Sequence, residues 1–376
     1  MIPYSRQNIF RADVAAVSRV LRSAYLTQGP AIERFERALA KKVKSRYAIA
    51  FSSGTAALHA AYFAAGLKKG DEAIVPAMTF AATANAALYL GAKPVFCDID
   101  PVSGLIDVKD AEKKVTKKTK LIIGVDYAGR PAALDELRKI ARKRKLVFIE
   151  DGAQSLGAQY RAKPVGTQAD MTMFSFHPVK SITTGEGGAI VTDNPVFAKK
   201  LRLFRTHGIT KAKEDFVRED EGGWHQEQHE LGFNYRMTDI QAALGESQLK
   251  RLDTFVRSRR TLAKQYQTLF KNVPGITLPP PDTREGKSAW HLYVIQVDAK
   301  KRRKIFETLR REGIGAQVHY VPVYRHPYYE RLGYKKGLCP NAERFYSRII
   351  SIPLYPTLPN RTQRRIVQLI CFILLK

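Results

Sequence analysis

Two side chains set the chemistry to be considered: Asp151 in EDGAQSLGA and Lys180 in FSFHPVKSITTGEGG, 29 residues further on. A lysine held out of water loses its proton readily and can condense with an aldehyde. Pyridoxal phosphate needs such a lysine. It also needs a carboxylate on its ring nitrogen, which keeps the ring an electron sink. Asp151 and Lys180 are candidates for those two roles, although a lone aspartate can equally cap a turn. Lys180 does not sit in a GxxxxGK[ST] arrangement, so it is not a P-loop lysine. A phosphate would need a cradle. SSGTAAL, residues Ser52–Leu58, places backbone N–H groups and the Thr55 hydroxyl at a helix N-terminus, which suits a dianion. Ser-Gly-Thr is also an ordinary helix entry. Phe80 in PAMTFAATAN can stack on a flat ring or pack in a core.

The elements that must position these residues read as alternating strands and helices. Apolar runs at Tyr47–Phe51, Glu72–Val75, Lys93–Asp98, Lys120–Val125, Leu146–Ile149, Met171–Phe176 and Gly188–Val191 predict seven strands. Helical patterns fall at Gly54–Gly66, Ala81–Leu90, Ala133–Lys143 and Val196–Phe204. Continuous β-branched runs mean strands buried on both faces, hence an α/β fold with a mainly parallel sheet and helices on both sides. Ligands in such sheets bind beyond the carboxyl ends of strands, which is where Asp151 and Lys180 fall. From Thr238 to Phe270 the pattern predicts one long helix. After PGITLPPP comes a smaller strand–helix–strand unit at His291–Val297, Arg303–Arg311 and Ala316–His319. These signals divide the 376 residues into a large domain, 1–245, and a smaller C-terminal α+β domain, 246–376.

The charge is unusual. Lys+Arg number 63 and Asp+Glu 35, a formal net charge of +28, which suggests an anionic partner. The basic runs KKVTKKTK, RKIARKRK, Arg257–Arg260 and KKRRK are scattered, and most read as solvated helix faces. No helix-turn-helix, zinc finger or RNP-type motif supports nucleic-acid binding. Three scattered cysteines exclude a disulfide scaffold and a CxxC metal site. MIPYSRQNIF has no apolar leader core, and the apolar stretch Ile366–Leu375 is too short to span a bilayer, so it is expected to pack on the core of a cytoplasmic protein. His225 and His229 lie four apart in HQEQH with no third ligand evident, so no metal is expected. His59 is expected in the core or an interface, and Tyr328 and Tyr329 in a packed loop.

Taken together, SSGTAAL, PAMTFAATANA, EDGAQSLGA, FSFHPVKSITTGEGGAIVT and GFNYRMTDIQAALG occur in the order and spacing of a known family. The chain resembles the DegT/DnrJ/EryC1/StrS nucleotide-sugar aminotransferases, within the fold type I pyridoxal-phosphate enzymes, from about Pro3 to about Pro356. The resemblance implies that Lys180 attaches the cofactor and then shuttles the proton. It implies Asp151 on the pyridine nitrogen, Gln154 near the ring hydroxyl, Phe80 stacked on the ring, and Gly54, Thr55 and Ser175 on the phosphate. Asn234 would reach the neighbouring subunit's phosphate, implying a homodimer with shared sites. Some members carry His in place of the lysine and act as dehydratases; Lys180 favours transamination. The segments IPYSRQNI, AYLTQGP, WHQEQHELGFNYRMTDIQAALG and AQVHYVPVYRHPYY resemble a branch that aminates C4 of a UDP-linked 4-keto-6-deoxy-N-acetylhexosamine, with L-glutamate as donor, as in pseudaminic-acid biosynthesis. By that likeness Tyr4, Ala24, Tyr25, Leu26, Thr27, Val318, His319 and Tyr320 would touch the nucleotide sugar. Gly152 stands where many members have Ala.

Overall fold

Strands such as YAIAF and the LIIGV run put apolar side chains on both faces, so only a sheet covered on both sides can hold them. A computed structural model describes residues 1–375 and contains that sheet. Its strands are β1 (Tyr47–Phe51), β2 (Glu72–Pro76), β3 (Lys93–Cys97), β4 (Thr119–Val125), β5 (Val147–Asp151), β6 (Met171–Ser175) and β7 (Gly188–Thr192), in the spatial order β1-β7-β6-β5-β4-β2-β3. The pairs β2/β3, β2/β4, β4/β5 and β5/β6 are parallel; β7 runs antiparallel to β1 and β6. The mainly parallel seven-stranded sheet expected from sequence is the one observed.

Helices cover it: α1 (Arg11–Leu21), α2 (Pro30–Val43), α3 (Gly54–Ala64), α4 (Ala81–Leu88), α5 (Leu134–Arg144) and α6 (Pro195–Arg205). In α3, GTAALHAAYFA buries nearly every residue, and its alanines let the helix lie close on the sheet. The predicted outer face of α5 also holds: Leu134, Leu137, Ile140 and Ala141 are buried and the charges face outward.

Two expectations fail further along. The stretch predicted as one helix is two, α7 (Asp239–Leu249) and α8 (Leu252–Leu269). The break falls where buried Asp13 of α1 gathers the side chains of Ser247, Gln248 and Arg251. No glycine or proline marks it. The segment Ala316–His319 is not a strand of the smaller sheet. That sheet pairs β8 (Tyr293–Gln296) antiparallel with β9 (Ile349–Ile352), while Gln317 makes only an isolated bridge to Ser351. β8 finds its partner beyond α9 (Ala299–Arg311), while past Gln317 the chain runs on to Tyr127, whose hydroxyl donates to the His319 carbonyl.

Two cores meet along α8. Leu252, Phe255 and Val256 belong to the core beneath α2, whereas Leu262, Ala263 and Tyr266 belong to the one around β8 and β9. The apolar end forms α10 (Asn360–Leu375) and buries Ile366, Val367, Ile370 and Ile373 in that second core. No helix among the described residues is long and apolar enough to cross a membrane. The N-terminal arm is tied to the second core by hydrogen bonds from Gly315 to Ile2 (2.7 Å) and from Leu354 to Tyr4 (2.9 Å).

Candidate active site

The strand ends supply the site. Beyond β1 the chain turns through Ser52 and Ser53 into α3. Beyond β2 it turns through Thr79 and Phe80 into α4. β4, β5 and β6 end at Val125, Asp151 and Ser175. All of these except Ser52 line one cavity of about 440 Å³, with Tyr4, Gly54, Thr55, Thr83, Gln154, His177, Lys180, Glu186, His291, His319 and Tyr320. That volume is in the range of small-ligand sites.

Ser53 caps α3 by accepting from the Ala56 amide (3.1 Å), leaving the amides of Gly54 and Thr55 without carbonyls one turn back. The approach is tight. A Cβ on Gly54 would stand 3.2 Å from the Ser175 Cβ. A Cβ on Gly188, at the start of β7, would stand 2.6 Å from the Ser53 carbonyl and 2.7 Å from the Gly54 nitrogen. Gly188, the last glycine of TGEGG, therefore lets β7 close against the α3 entry.

Asp151 is buried. Its Oδ2 accepts from Thr83 Oγ1 at 2.6 Å and its Oδ1 from the Ala153 amide at 3.1 Å. Burial raises its carboxyl above the usual range, and Thr83, Ala153 and Lys180 act against that rise. Lys180 is enclosed in the turn after β6, its amide donating to the His177 carbonyl (2.9 Å). Burial lowers its ammonium to about 8, partly offset by Asp151. Burial thus disfavours the charged form of both groups, and the charge of each partly offsets that effect on the other.

The remaining walls are aromatic and imidazole. Phe80 is 60% exposed, an unusual state for a large apolar ring, and its face borders the cavity 5.9 Å from the Tyr320 ring. Gln154 accepts from the Ala128 amide (2.8 Å) and donates to the Tyr320 hydroxyl (2.9 Å), which leaves one amide hydrogen uncommitted. His319 meets Ser351 Oγ at 2.8 Å, and burial, aided by Lys180, lowers it to about 4. His291 is buried with Nδ1 unpartnered, and burial first, then Lys180 and Arg259, push it well below the usual range.

The structure therefore brings together Gly54, Thr55, Phe80, Asp151, Gln154, Ser175, Lys180, Tyr4, His319 and Tyr320. It leaves others outside this cavity. Asn234 is exposed and bridges Thr206. Ala24, Tyr25, Leu26 and Thr27 form an exposed turn after α1, where Leu26 accepts from the Asp239 amide and Tyr25 lines a separate hollow between α1, α2 and α7. Val318 packs against the large core. Thr83 and His291 escaped notice in the sequence, although PAMTFAATANA already contained Thr83. His59 sits among Tyr89, Phe204, Phe233 and Tyr235, as expected of a packed histidine. His225 and His229 both turn to Glu227 (3.4 and 2.6 Å) rather than sharing a helix face.

These groups fit pyridoxal phosphate. The α3 entry with Thr55 and Ser175 suits the phosphate. The exposed Phe80 face suits the ring, the buried Asp151 the ring nitrogen, and the low-pKa Lys180 the aldehyde. Comparison with known proteins agrees. Residues 7–371 match the model of the DegT/DnrJ/EryC1/StrS aminotransferase family. The chain is 40% identical over 362 residues to a UDP-4-amino-4,6-dideoxy-N-acetyl-beta-L-altrosamine transaminase of Campylobacter jejuni, covering 94% of this chain and 93% of that one. Among solved structures it is similar to Helicobacter pylori PseC, an aminotransferase involved in pseudaminic-acid biosynthesis, with TM-score 0.93, 36% identity and coverage of 99% and 98%. It is also similar to the PLP form of Spr1654, a sugar aminotransferase of Streptococcus pneumoniae, with TM-score 0.92, 30% identity and coverage of 99% and 98%.

Proposed function

Because the chain belongs to the DegT/DnrJ/EryC1/StrS aminotransferase family, we propose that it is a pyridoxal-phosphate-dependent transaminase moving the amino group of L-glutamate to C4 of a UDP-linked 4-keto-6-deoxy-N-acetylhexosamine. The observation that carries this is the meeting of Lys180 and Asp151 in one cavity beneath the α3 entry. Bound pyridoxal phosphate supplies a carbon that exchanges amines and a ring that takes up the electron pair left when a neighbouring proton departs.

The chain's own residues do the rest. Lys180 Nζ is the proton carrier: with a pKa of about 8, about one amine in ten is unprotonated at pH 7. An ordinary lysine at 10.5 would offer fewer than about one in a thousand. Asp151, steadied by Thr83 and Ala153, would pair with the ring nitrogen. Gly54, Thr55 and Ser175 would hold the phosphate, and Phe80 would stack on the ring. Gln154 would meet the ring edge while holding Tyr320. Tyr4, His319 and Tyr320 form the wall that a sugar would meet, with Val318 behind them. The pathway proposed is of the pseudaminic-acid type, supported by the names of the Campylobacter and Helicobacter relatives.

The assembly we propose is a homodimer in the cytoplasm. Residues 1–245 carry the cofactor and 246–376 close over it, and Asn234 and the turn Ala24–Thr27 face the partner's site. Transfer of ¹⁵N from labelled glutamate tests the activity, with the product read by mass spectrometry and NMR. Nitrogen at C4 of the UDP sugar is the expected outcome. Nitrogen at C3, or transfer only to a dTDP-linked ketone, would overturn the substrate assignment and leave an aminotransferase for another keto-sugar.

A further inference from the structure

Arg257–Arg260 reads in sequence as part of a solvated basic face. Arg259 departs from it: the residue is 1% exposed, and no carboxylate among the described residues forms an ion pair with it. A buried guanidinium without a counter-ion is costly, so its hydrogen bonds indicate what holds it there. They reach segments far apart in the chain. From α8, one end of the guanidinium donates to the carbonyls of Leu354 (2.7 Å), His291 (3.2 Å) and Trp290 (3.3 Å). The other end donates to Ser5 Oγ at 3.3 Å and approaches the Val179 carbonyl at 3.5 Å. Ser5 in turn donates to that same Val179 carbonyl at 3.2 Å. Val179 is the residue before Lys180.

We propose that Arg259 is a positioning residue for Lys180: together with Ser5 it fixes the peptide that carries the lysine against the N-terminal arm and the second core. The inference rests on the reading of Lys180 as the cofactor lysine. The geometry favours this role over a purely structural one. Phe255 and Leu262, on the same helix, already bury the apolar contacts that dock α8. An apolar side chain at 259 would dock it as well, without the cost of a buried charge. What only a multivalent planar donor can do here is gather the carbonyls of Leu354, His291 and Trp290 at one end and the Ser5–Val179 pair at the other. Tyr4, next to Ser5, and His291, itself one of the bonded residues, line the cavity. The positive charge also bears on them: Arg259 lowers His291 and acts against the rise of Tyr4, whose larger cause is burial. Arg259 thus links the lysine to the wall opposite it.

The test uses Arg259→Lys, Arg259→Gln and Ser5→Ala in the holoenzyme, with thermal unfolding, visible circular dichroism of the bound cofactor and steady-state rates. The inference expects kcat to fall about 30-fold or more in Arg259→Gln and about 3-fold in Ser5→Ala, with KM for glutamate within 3-fold. It also expects a changed cofactor dichroism band in both, and partial recovery of kcat in Arg259→Lys. Ser5→Ala keeps the buried charge paired with its carbonyls, so it reports even if Arg259→Gln does not fold. Unchanged kcat and dichroism in Ser5→Ala and Arg259→Lys would overturn the inference, whatever happens to stability. Borohydride fixation of the cofactor on a lysine other than 180 in the unaltered protein would instead overturn the reading of Lys180, and the inference with it.

Discussion

Replacing Thr83 by Val tests the electrostatics of the site with little change of shape. The Thr83 hydroxyl donates to Asp151 Oδ2 at 2.6 Å, a short bond to a buried carboxylate. Such charge-assisted bonds contribute about 1.5–3 kcal/mol. At 1.36 kcal/mol per pKa unit this amounts to about 1–2 units. The sign follows from the chemistry. Burial raises the Asp151 carboxyl, and the Thr83 bond favours its ionised form. Without the bond the carboxyl rises further, so Asp151 becomes protonated at a higher pH and ceases to stabilise a charged ring nitrogen. The acid limb of the kcat/KM profile should therefore move up by about 1–2 pH units, with rates converging well above the limb. The assay is a pH profile of amino transfer from glutamate between pH 5 and 9, beside a thermal melt. An acid limb within about 0.3 units of the unaltered enzyme, in a folded variant, would refute Asp151 as the group whose ionisation supports catalysis.

Other outcomes follow from the same geometry. Phe80→Ala should weaken cofactor binding by about 0.5–1.5 kcal/mol, roughly 2- to 13-fold by equilibrium dialysis. Because Phe80 is already 60% exposed, the melting temperature without cofactor should scarcely move. Gly188→Ala should destabilise by roughly 1–3 kcal/mol and loosen cofactor binding, since the added carbon meets Ser53 and Gly54 backbone rather than a mobile side chain; urea melts and dialysis read both. Capture of pyridoxal phosphate by the cofactor-free protein should quicken as pH rises through about 8, where Lys180 loses its proton, and then level off. A midpoint near that of an ordinary lysine, seen by stopped-flow absorbance, would contradict the buried environment assigned to Lys180.

The fold was legible where local chemistry alone decides it. Runs such as YAIAF and LIIGV are apolar on both faces, so they announce strands of a covered sheet, and Asp151 and Lys180 stood at strand ends by position in the chain. What stayed hidden depended on contacts distant in sequence. The break between Leu249 and Leu252 has no local signal, because it lies where Asp13, over 230 residues earlier, draws in Gln248 and Arg251. The smaller sheet closes not through Ala316–His319 but through Ile349–Ile352, which pairs with β8 across more than fifty residues, a contact that no local pattern announces. Arg259 was concealed among Arg257 and Arg260, since helix periodicity cannot say that one arginine of a basic run turns inward. Thr83 is a plain helix residue until the fold sets it 2.6 Å from Asp151. The charge of +28 suggested an anionic partner; the proposed ligands are indeed anionic, yet RKIARKRK and KKRRK lie mostly on exposed faces and none of them lines the cavity.

Lys180 is the residue on which the proposed chemistry depends most directly. Borohydride reduction of the yellow holoenzyme, followed by proteolysis and mass spectrometry, should place the phosphopyridoxyl group on Lys180 alone, and Lys180→Arg should take up no such label and transfer no amino group. A label on another lysine, or amino transfer that survives Lys180→Arg, would contradict it.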